Sequence, residues 1–530
     1  MAGPRYIIAH DVGTSSTKAA LVEFDGKVKA YSTEPYPVHY PQVNWAEQDP
    51  DDYWQAVSKS TKKVIEEAGI SPADIAGVIF TTQTVGVIPV GKEKRHLRPA
   101  VIWLDGRGSA QAEQIMNKFG GKAIFSGIAG TAITGKDGMA KLLWIQQNEP
   151  DIHAETEYYM DVNGYLILKM TGRTVYEWST ASTIGFDLKK NDWMRLIMNR
   201  IGVDVNRFPE LVRSTDQVGT VSREAAAQCR LKEGTPVFGG CGDMQSAAIG
   251  AGAVADGEGH LYLGTSAWVG VTTKSAPTGR EGVVALKSGD PDLNLLFGEM
   301  ETAGMCLDWI KDEFYRHEQQ GPGGLNIYKL MDESIKDIPA GSDYLIFTPW
   351  FYGERCPVSD VYVKSTFFNL SAAHRREHML KSVYEGIALN LRWILEIMER
   401  RYGFSLPVLR VIGGGSNSEV WMQILADITG RRLEKVTECQ MCGAVGAALI
   451  AAVGLKVYPD ISTAAKNVRV EKTFSPRAEN KGVYDTLYGT YKQIYRNLKK
   501  LYRQVNQERE REEANVDSNP KRVNNSFPVA

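Results

Sequence analysis

The chain contains no run of about 18 uncharged apolar residues, so no segment is expected to span a bilayer as a helix. It also lacks a strongly basic stripe, which argues against a nucleic-acid partner. Its 61 Lys and Arg nearly balance its 63 Asp and Glu, for a net charge of −2. The start, Met1-Ala2-Gly3-Pro4-Arg5, has no apolar core of a signal peptide. Cysteine is scarce: Cys229, Cys241, Cys306, Cys356, Cys439 and Cys442 among 530 residues suit a reducing cytosol rather than a disulfide scaffold. Cys439 and Cys442 form a C-x-x-C, but no second pair or neighbouring histidine completes a zinc set. Of the eight histidines, only those in His374-Arg375-Arg376-Glu377-His378 match a zinc-protease pattern. Two arginines there would repel a cation, and a solvated helix face is the expected reading. These absences leave a cytoplasmic globular chain, long enough for two or more domains.

What is present begins with a turn made twice. Asp11 opens Asp11-Val12-Gly13-Thr14-Ser15-Ser16-Thr17-Lys18, between strand-like 6–9 and apolar 19–24. Gly264-Thr265-Ser266 repeats the arrangement between 261–263 and 268–272. Two apolar strands joined by a small, hydroxyl-rich bend present N–H and O–H groups to an anion. A carboxylate beside the first bend can hold a hard cation such as Mg²⁺. The recurrence predicts a duplicated unit that closes on a nucleotide polyphosphate.

The rest of the chain alternates helix, strand and polar loop, the rhythm of an α/β layer with ligands beyond the strand carboxyl ends. A helix is expected over 50–69, with Tyr53, Trp54, Val57, Thr61, Val64 and Ile65 on its apolar face, Asp49 as N-cap and Gly69 at its end. Strands are expected at 75–81 and 100–104, each releasing polar groups: Gln83-Thr84-Val85-Gly86 after the first, Asp105-Gly106-Arg107 after the second. These suit hydrogen bonding to a polyhydroxylated ligand. In the second half, a helix over 371–402 precedes a strand at 408–412, the run Gly413-Gly414-Gly415-Ser416-Asn417-Ser418 and a helix over 419–429. The glycine run either serves as a turn or lets a ligand ring approach the backbone. The division falls near Gly252, giving domains at 1–252 and 253–480. A helix around 481–507 follows, and the tail from Asn515 to Ala530 is read as disordered.

Pro236-Val237-Phe238-Gly239-Gly240-Cys241-Gly242-Asp243 is a short strand that runs into glycines and then an acid, heading a small-residue helix over 244–252. Asp243 either caps that helix or accepts a proton from a hydroxyl during phosphoryl transfer; local pattern favours the cap. Two nucleotide signals fail. Gly130–Lys136 matches the start of a P-loop, but Asp137 replaces the residue that should ligate Mg²⁺. Gly250-Ala251-Gly252-Ala253-Val254-Ala255 mimics a dinucleotide fingerprint but lies inside or at the end of a helix.

Taken in order, the turn at Asp11, Asn44–Pro50, Trp103–Arg107, Gly240–Asp243, Gly353-Glu354-Arg355, Glu385-Gly386-Ile387 and Gly413–Ser418 with Trp421–Asp427 resemble the FGGY carbohydrate kinases, most closely their xylulokinase branch. The resemblance implies two ribonuclease H-like domains of the actin and Hsp70 superfamily, with a catalytic cleft between them. It implies ATP- and Mg²⁺-dependent phosphorylation of a sugar or polyol, D-xylulose to D-xylulose 5-phosphate by default; a homodimer is the candidate assembly. It makes Asp243 the general base and gives Asp11 the metal and the transferring phosphate. Thr14, Ser15, Lys18, Gly264 and Thr265 would line the phosphates; Gly304, Gly414, Gly415 and Ser418 would follow the adenosine. Gln83, Thr84, Val85, Asp105 and Arg107 would face the sugar, with Asp243. Two departures open the acceptor to ribulose, ribitol, erythritol or glycerol. Val85 stands where xylulokinases usually carry a histidine, and Asp161-Val162-Asn163-Gly164-Tyr165-Leu166 replaces a usual Lys-Asp-Tyr-Leu. An unsatisfied substrate hydroxyl shifts preference by ~1–3 kcal/mol. The rival class is an ATP-dependent sugar sensor without chemistry.

Overall fold

A computed structural model describes residues 5–129, 132–319 and 326–517. Its core is a pair of seven-stranded sheets. The first comprises β1 (Tyr6–Val12), β2 (Ser16–Glu23), β3 (Val28–Pro35), β4 (Ile75–Thr82), β5 (Gln217–Thr220), β6 (Pro236–Phe238) and β7 (Cys241–Gly242). The second comprises β8 (Gly259–Leu263), β9 (Ala267–Thr273), β10 (Val284–Lys287), β11 (Asn294–Met300), β12 (Val408–Ile412), β13 (Arg432–Val436) and β14 (Val470–Phe474). In the first sheet, β3, β2 and β1 run antiparallel, and β1 pairs in parallel with β4, which pairs in parallel with β6. In the second, β11, β9 and β8 run antiparallel, and β8 pairs in parallel with β12, then β13. The chain thus makes the same five-strand unit twice, as the repeated turn predicts.

The helices that position the site are α1 (Pro50–Ala68), α2 (Gly138–Asn148), α3 (Val162–Thr171), α4 (Asp243–Gly250), α5 (Gly304–Phe314), α6 (Arg376–Tyr402), α7 (Glu419–Thr429), α8 (Cys442–Gly454) and α9 (Lys481–Asp517). The ends of α1 follow local chemistry. The Asp49 carboxylate accepts from Asp51 N at 2.9 Å, Pro50 takes the first helical position, and Gly69 turns left-handed at φ 63°. All six positions expected on its apolar face are buried.

Side chains alternate across a strand, and β1 and β2 use both faces. Ile8, Val12, Ala19 and Leu21 pack with Tyr53, Val57 and Val64 of α1. Ile7, Ala9, Ala20 and Val22 pack with Ala444, Ala447, Ala448 and Leu449 of α8, a helix from the far end of the chain. In return, Ala247 of α4 packs against Ile412 and Val436 of the second sheet. Helices α4 and α8 therefore lie between the two sheets. Glycine lets their backbones touch: a Cβ on Gly446 would overlap the Ser246 carbonyl, and one on Gly250 the Cys442 carbonyl. Neither neighbour is a movable side-chain tip, so Gly446→Ala is expected to lower stability by about 1–3 kcal/mol through overpacking. An unchanged urea midpoint would show that the pair tolerates a wider spacing.

Four expectations need correction. The strand over 100–104 is shorter than expected, Ala100–Val101: Ile102 N still reaches Ala46 O at 3.2 Å, but Asp105 N then folds back to Ile102 O at 3.0 Å and turns the chain. The helix over 371–402 begins at Arg376: Ser371 N donates to His374 Nδ1 at 2.9 Å, a local bond that competes with helix. The H-x-x-E-H run is not a wholly solvated face, since His378 is buried with Nε2 3.0 Å from an Asp343 carboxylate oxygen. The final helix passes 507 and takes in Asn515 on its way to Asp517; 518–530 lie outside the described residues, as do Gly130 and Thr131 of the rejected P-loop. The fingerprint mimic at Gly250 closes α4, with Gly252 left-handed behind it.

Candidate active site

The carboxyl ends of β1, β4 and β7 converge. Asp11 pairs with Thr81, Thr81 pairs with Cys241, and Gly242 pairs with Thr82, so Asp11, near the end of β1, and Asp243, just past β7, lie on either side of β4. Between them the chain continues into Gln83, whose N–H donates to Val12 O at 2.8 Å.

The first turn is braced from behind. Gly13 O accepts from Tyr36 Oη at 2.6 Å, Thr14 O from Gln48 Nε2 at 2.7 Å, and Thr14 Oγ1 from Trp103 Nε1 at 2.8 Å. The backbone N–H groups of Thr14 and Ser15 have no partner among the described residues, which leaves them for an anion. Lys18 stands opposite Asp11 in the β1–β2 register. The Asp11 carboxylate accepts no hydrogen bond among the described residues, and burial raises its pKa against the pull of Lys18. A Cβ on Gly443 would lie 2.9 Å from Asp11 Oδ2, so the glycine at the start of α8 makes room for this carboxylate at a positive helix end. An unpartnered carboxylate beside free N–H donors fits a hard cation that carries polyphosphate.

The second turn faces it from the other sheet. Gly264 N donates to Ser266 O at 2.9 Å, and Thr265 N is free among the described residues. Gly304, at the head of α5, donates N–H to Gly264 O at 2.9 Å, and a Cβ there would overlap that carbonyl. Gly413 enters its loop at φ 90° against Leu263 O. Gly414 is exposed, whereas a Cβ on Gly415 would lie 2.5 Å from the Trp421 ring, a packing requirement. Ser418 caps α7, accepting from Trp421 N at 3.1 Å and donating to Asp332 Oδ1 at 2.9 Å.

Asp243 is the first residue of α4, whose N-cap is Gly242, so the capping reading does not hold. Its Oδ1 accepts from Met244 N at 2.9 Å. Burial pushes its pKa to about 7; the charges of Asp11 and Glu299 add to the rise, and the Met244 bond opposes it. A carboxyl poised there can take a proton near neutrality.

The sugar-facing candidates divide. Gln83 Nε2 is held by Gln48 Oε1 at 2.9 Å, leaving its buried Oε1 unpartnered. Thr84 is buried and Val85 takes a left-handed φ of 63°. Asp105 and Arg107 form a buried two-point ion pair, with Nη2 2.7 Å from both Asp105 Oδ2 and Glu47 Oε1. Asp105 Oδ2 also accepts from Ala46 N at 2.6 Å, so this carboxylate is fully engaged. Arg107 stacks 3.7 Å above the Trp45 ring and leaves Nη1 unpartnered. Gln83 Oε1 and Arg107 Nη1 are thus buried polar ends without a partner among the described residues.

Other groups near the site were not among the predicted site residues. Glu299 accepts from Ser266 Oγ at 3.1 Å and pairs with Arg355 at 3.0 Å. Arg355 reaches 5.5 Å from the Trp103 ring, and Lys136 lies 3.6 Å from Glu301, so charges from one half touch the other across the cleft. Tyr262 stacks on Trp268 at 3.8 Å, and its phenol feels Asp11 and Asp243. Gln245 is buried with both amide ends unpartnered. The C-x-x-C cysteines are free and buried.

Models of the FGGY family of carbohydrate kinases match this chain with their N-terminal domain over residues 6–250 and their C-terminal domain over 259–455. A xylulose kinase of Bacillus subtilis (strain 168) is 30% identical over 490 residues, covering 92% of this chain and 96% of that protein. The chain belongs to the FGGY family of carbohydrate kinases. A gluconokinase of the same organism is 27% identical over 426 residues, covering 80% of this FGGY kinase and 82% of the relative. The crystal structure of a xylulose kinase from Rhodospirillum rubrum superposes with a TM-score of 0.84 at 26% identity, covering 94% and 100% of the two chains. This FGGY kinase is an ATP-dependent sugar kinase with the ribonuclease H-like, actin and Hsp70 type of two-domain fold. Among the described residues no helix is long and apolar enough to cross a membrane.

Proposed function

We propose that this kinase transfers the γ-phosphoryl group of ATP to the terminal hydroxyl of a five-carbon ketose, D-xylulose giving D-xylulose 5-phosphate. The observation that carries the proposal is an Asp243 carboxyl with a pKa of about 7, beside an unpartnered Asp11, between two turns with free N–H groups. Asp243 takes the proton of the attacking hydroxyl as the phosphoryl group leaves. Thr14, Ser15, Lys18, Gly264 and Thr265 hold the polyphosphate, and Gly304, Gly414, Gly415 and Ser418 border the adenosine. Asp11 holds Mg²⁺, which when bound neutralises the charge that grows on the transferring group. Residues 1–252 carry the sugar and the base, and 253–480 carry most of the nucleotide site. Six free, buried cysteines suit a cytosolic setting.

The xylulose kinase relatives favour the pentulose. A second reading rests on Val85: its apolar side chain removes a ring donor or acceptor from the first sugar loop, which favours another ketose or a polyol. The gluconokinase relative shows how far acceptors spread at this identity. The test is ADP release measured across pentuloses, pentitols, tetritols, glycerol, hexuloses and gluconate. D-xylulose should give the highest kcat/KM. A higher value with another acceptor overturns that choice, and ATP turnover without phosphorylated product overturns the kinase reading.

A further inference from the structure

Lys141 sits on α2 with no exposed surface. Its Nζ donates to Ile102 O at 2.7 Å and to Val85 O at 3.1 Å. Those carbonyls belong to the two loops that carry the sugar-facing candidates, one leading from Gln83 and one leading to Asp105 and Arg107. Val87 and Val101 exchange backbone bonds of 3.0 and 3.1 Å just behind them.

Two features of this arrangement are costly. A β-branched residue in the left-handed region is strained and persists only where its surroundings impose it. Val85 is such a residue, at φ 63°. A buried ammonium loses its hydration; burial draws Lys141 down to about 7 against the pull of Asp105 and Asp137, and the positive charges of Lys136 and Arg107 add to the fall. A Met or Leu would fill the same volume at lower cost. Among the described residues, the hydrogen bonds of the ammonium go to those two carbonyls alone.

We propose that Lys141 is a positioning residue that ties the two sugar loops together and holds Val85 in its left-handed conformation, fixing which side of that residue meets the acceptor. This rests on the sugar-kinase reading above. The acceptor class is unchanged; what Lys141 controls is discrimination among small polyhydroxylated molecules.

In the full chain, Lys141→Met should raise the KM for the preferred sugar about tenfold or more, while the KM for ATP stays within about twofold. Adding Val85→Gly should recover much of that loss, because glycine adopts a positive φ without the strain that a valine there must be held against. A sugar KM within about twofold of the parent, equal rises in both KM values, or a double variant no better than Lys141→Met would overturn the clamp. Should Lys141→Met fail to fold by circular dichroism, Lys141→Gln, which keeps two N–H donors, should give a smaller rise in sugar KM; a rise for ATP alone overturns the clamp. A parent enzyme inactive on every acceptor sinks the kinase reading but leaves the clamp testable. It then predicts faster amide exchange over 83–87 and 100–105 in Lys141→Met, and unchanged exchange overturns it.

Discussion

Asp243→Ala should lower kcat at least about a hundredfold, the low end for loss of a general base, while the Kd for ATP stays nearly unchanged. The fold gives little reason for collapse. Gly242 is the N-cap of α4, and the Asp243 carboxylate accepts from its neighbour Met244 N, an N–H that water can serve once the acid is gone. The free donors at Thr14, Ser15 and Thr265 stay where they are, because their bracing comes from Tyr36, Gln48, Trp103 and the head of α5. Removing Asp243 also removes a charge that repels Asp11 and Glu299, so nucleotide binding has no electrostatic reason to weaken. Coupled ADP release gives kcat, and calorimetry gives the ATP affinity. Turnover within about tenfold of the parent would remove Asp243 from proton transfer.

Much of this site could be read from the chain because its determinants are local. Asp49 and Gly69 mark a helix through cap chemistry that involves only near neighbours. Strand β12 and helix α7 fall at 408–412 and 419–429 as their patterns predict. The duplicated turn led to the duplicated sheet, since each bend needs antiparallel strands on both sides. The small residues after Asp243 foretold close packing, and Gly446 against Ser246 is that packing.

What escaped the sequence depends on contacts between distant segments. Asp11 against Gly443, or Arg355 over Trp103, joins residues that no local pattern relates. Asp105 and Arg107 looked like open ligands, yet Glu47 and Ala46 engage them first and leave only Arg107 Nη1 free. His378 looked solvated until a loop carrying Asp343 met it. Lys141 is a lysine in a helix, a residue whose usual place is the surface; its two carbonyl partners come from loops more than a helix away in sequence.

The same carboxyl makes activity depend on pH in a direction the structure determines. Asp243 accepts a proton only when ionised, and its pKa in the free enzyme is about 7, raised by burial first and by Asp11 and Glu299 after it. A raised carboxyl pKa means protonation begins near neutrality, so kcat/KM for the sugar should fall about tenfold for each unit below that point. Near pH 5 the loss approaches a hundredfold, on the order of the loss expected for Asp243→Ala. Glu299→Gln supplies the sign test: one like charge is removed and Arg355 loses a partner, so ionisation of Asp243 becomes easier and the midpoint should move to lower pH. A profile that is level from about pH 5 to 8, or a midpoint that Glu299→Gln moves upward, would mean that the titrating group is not this carboxyl.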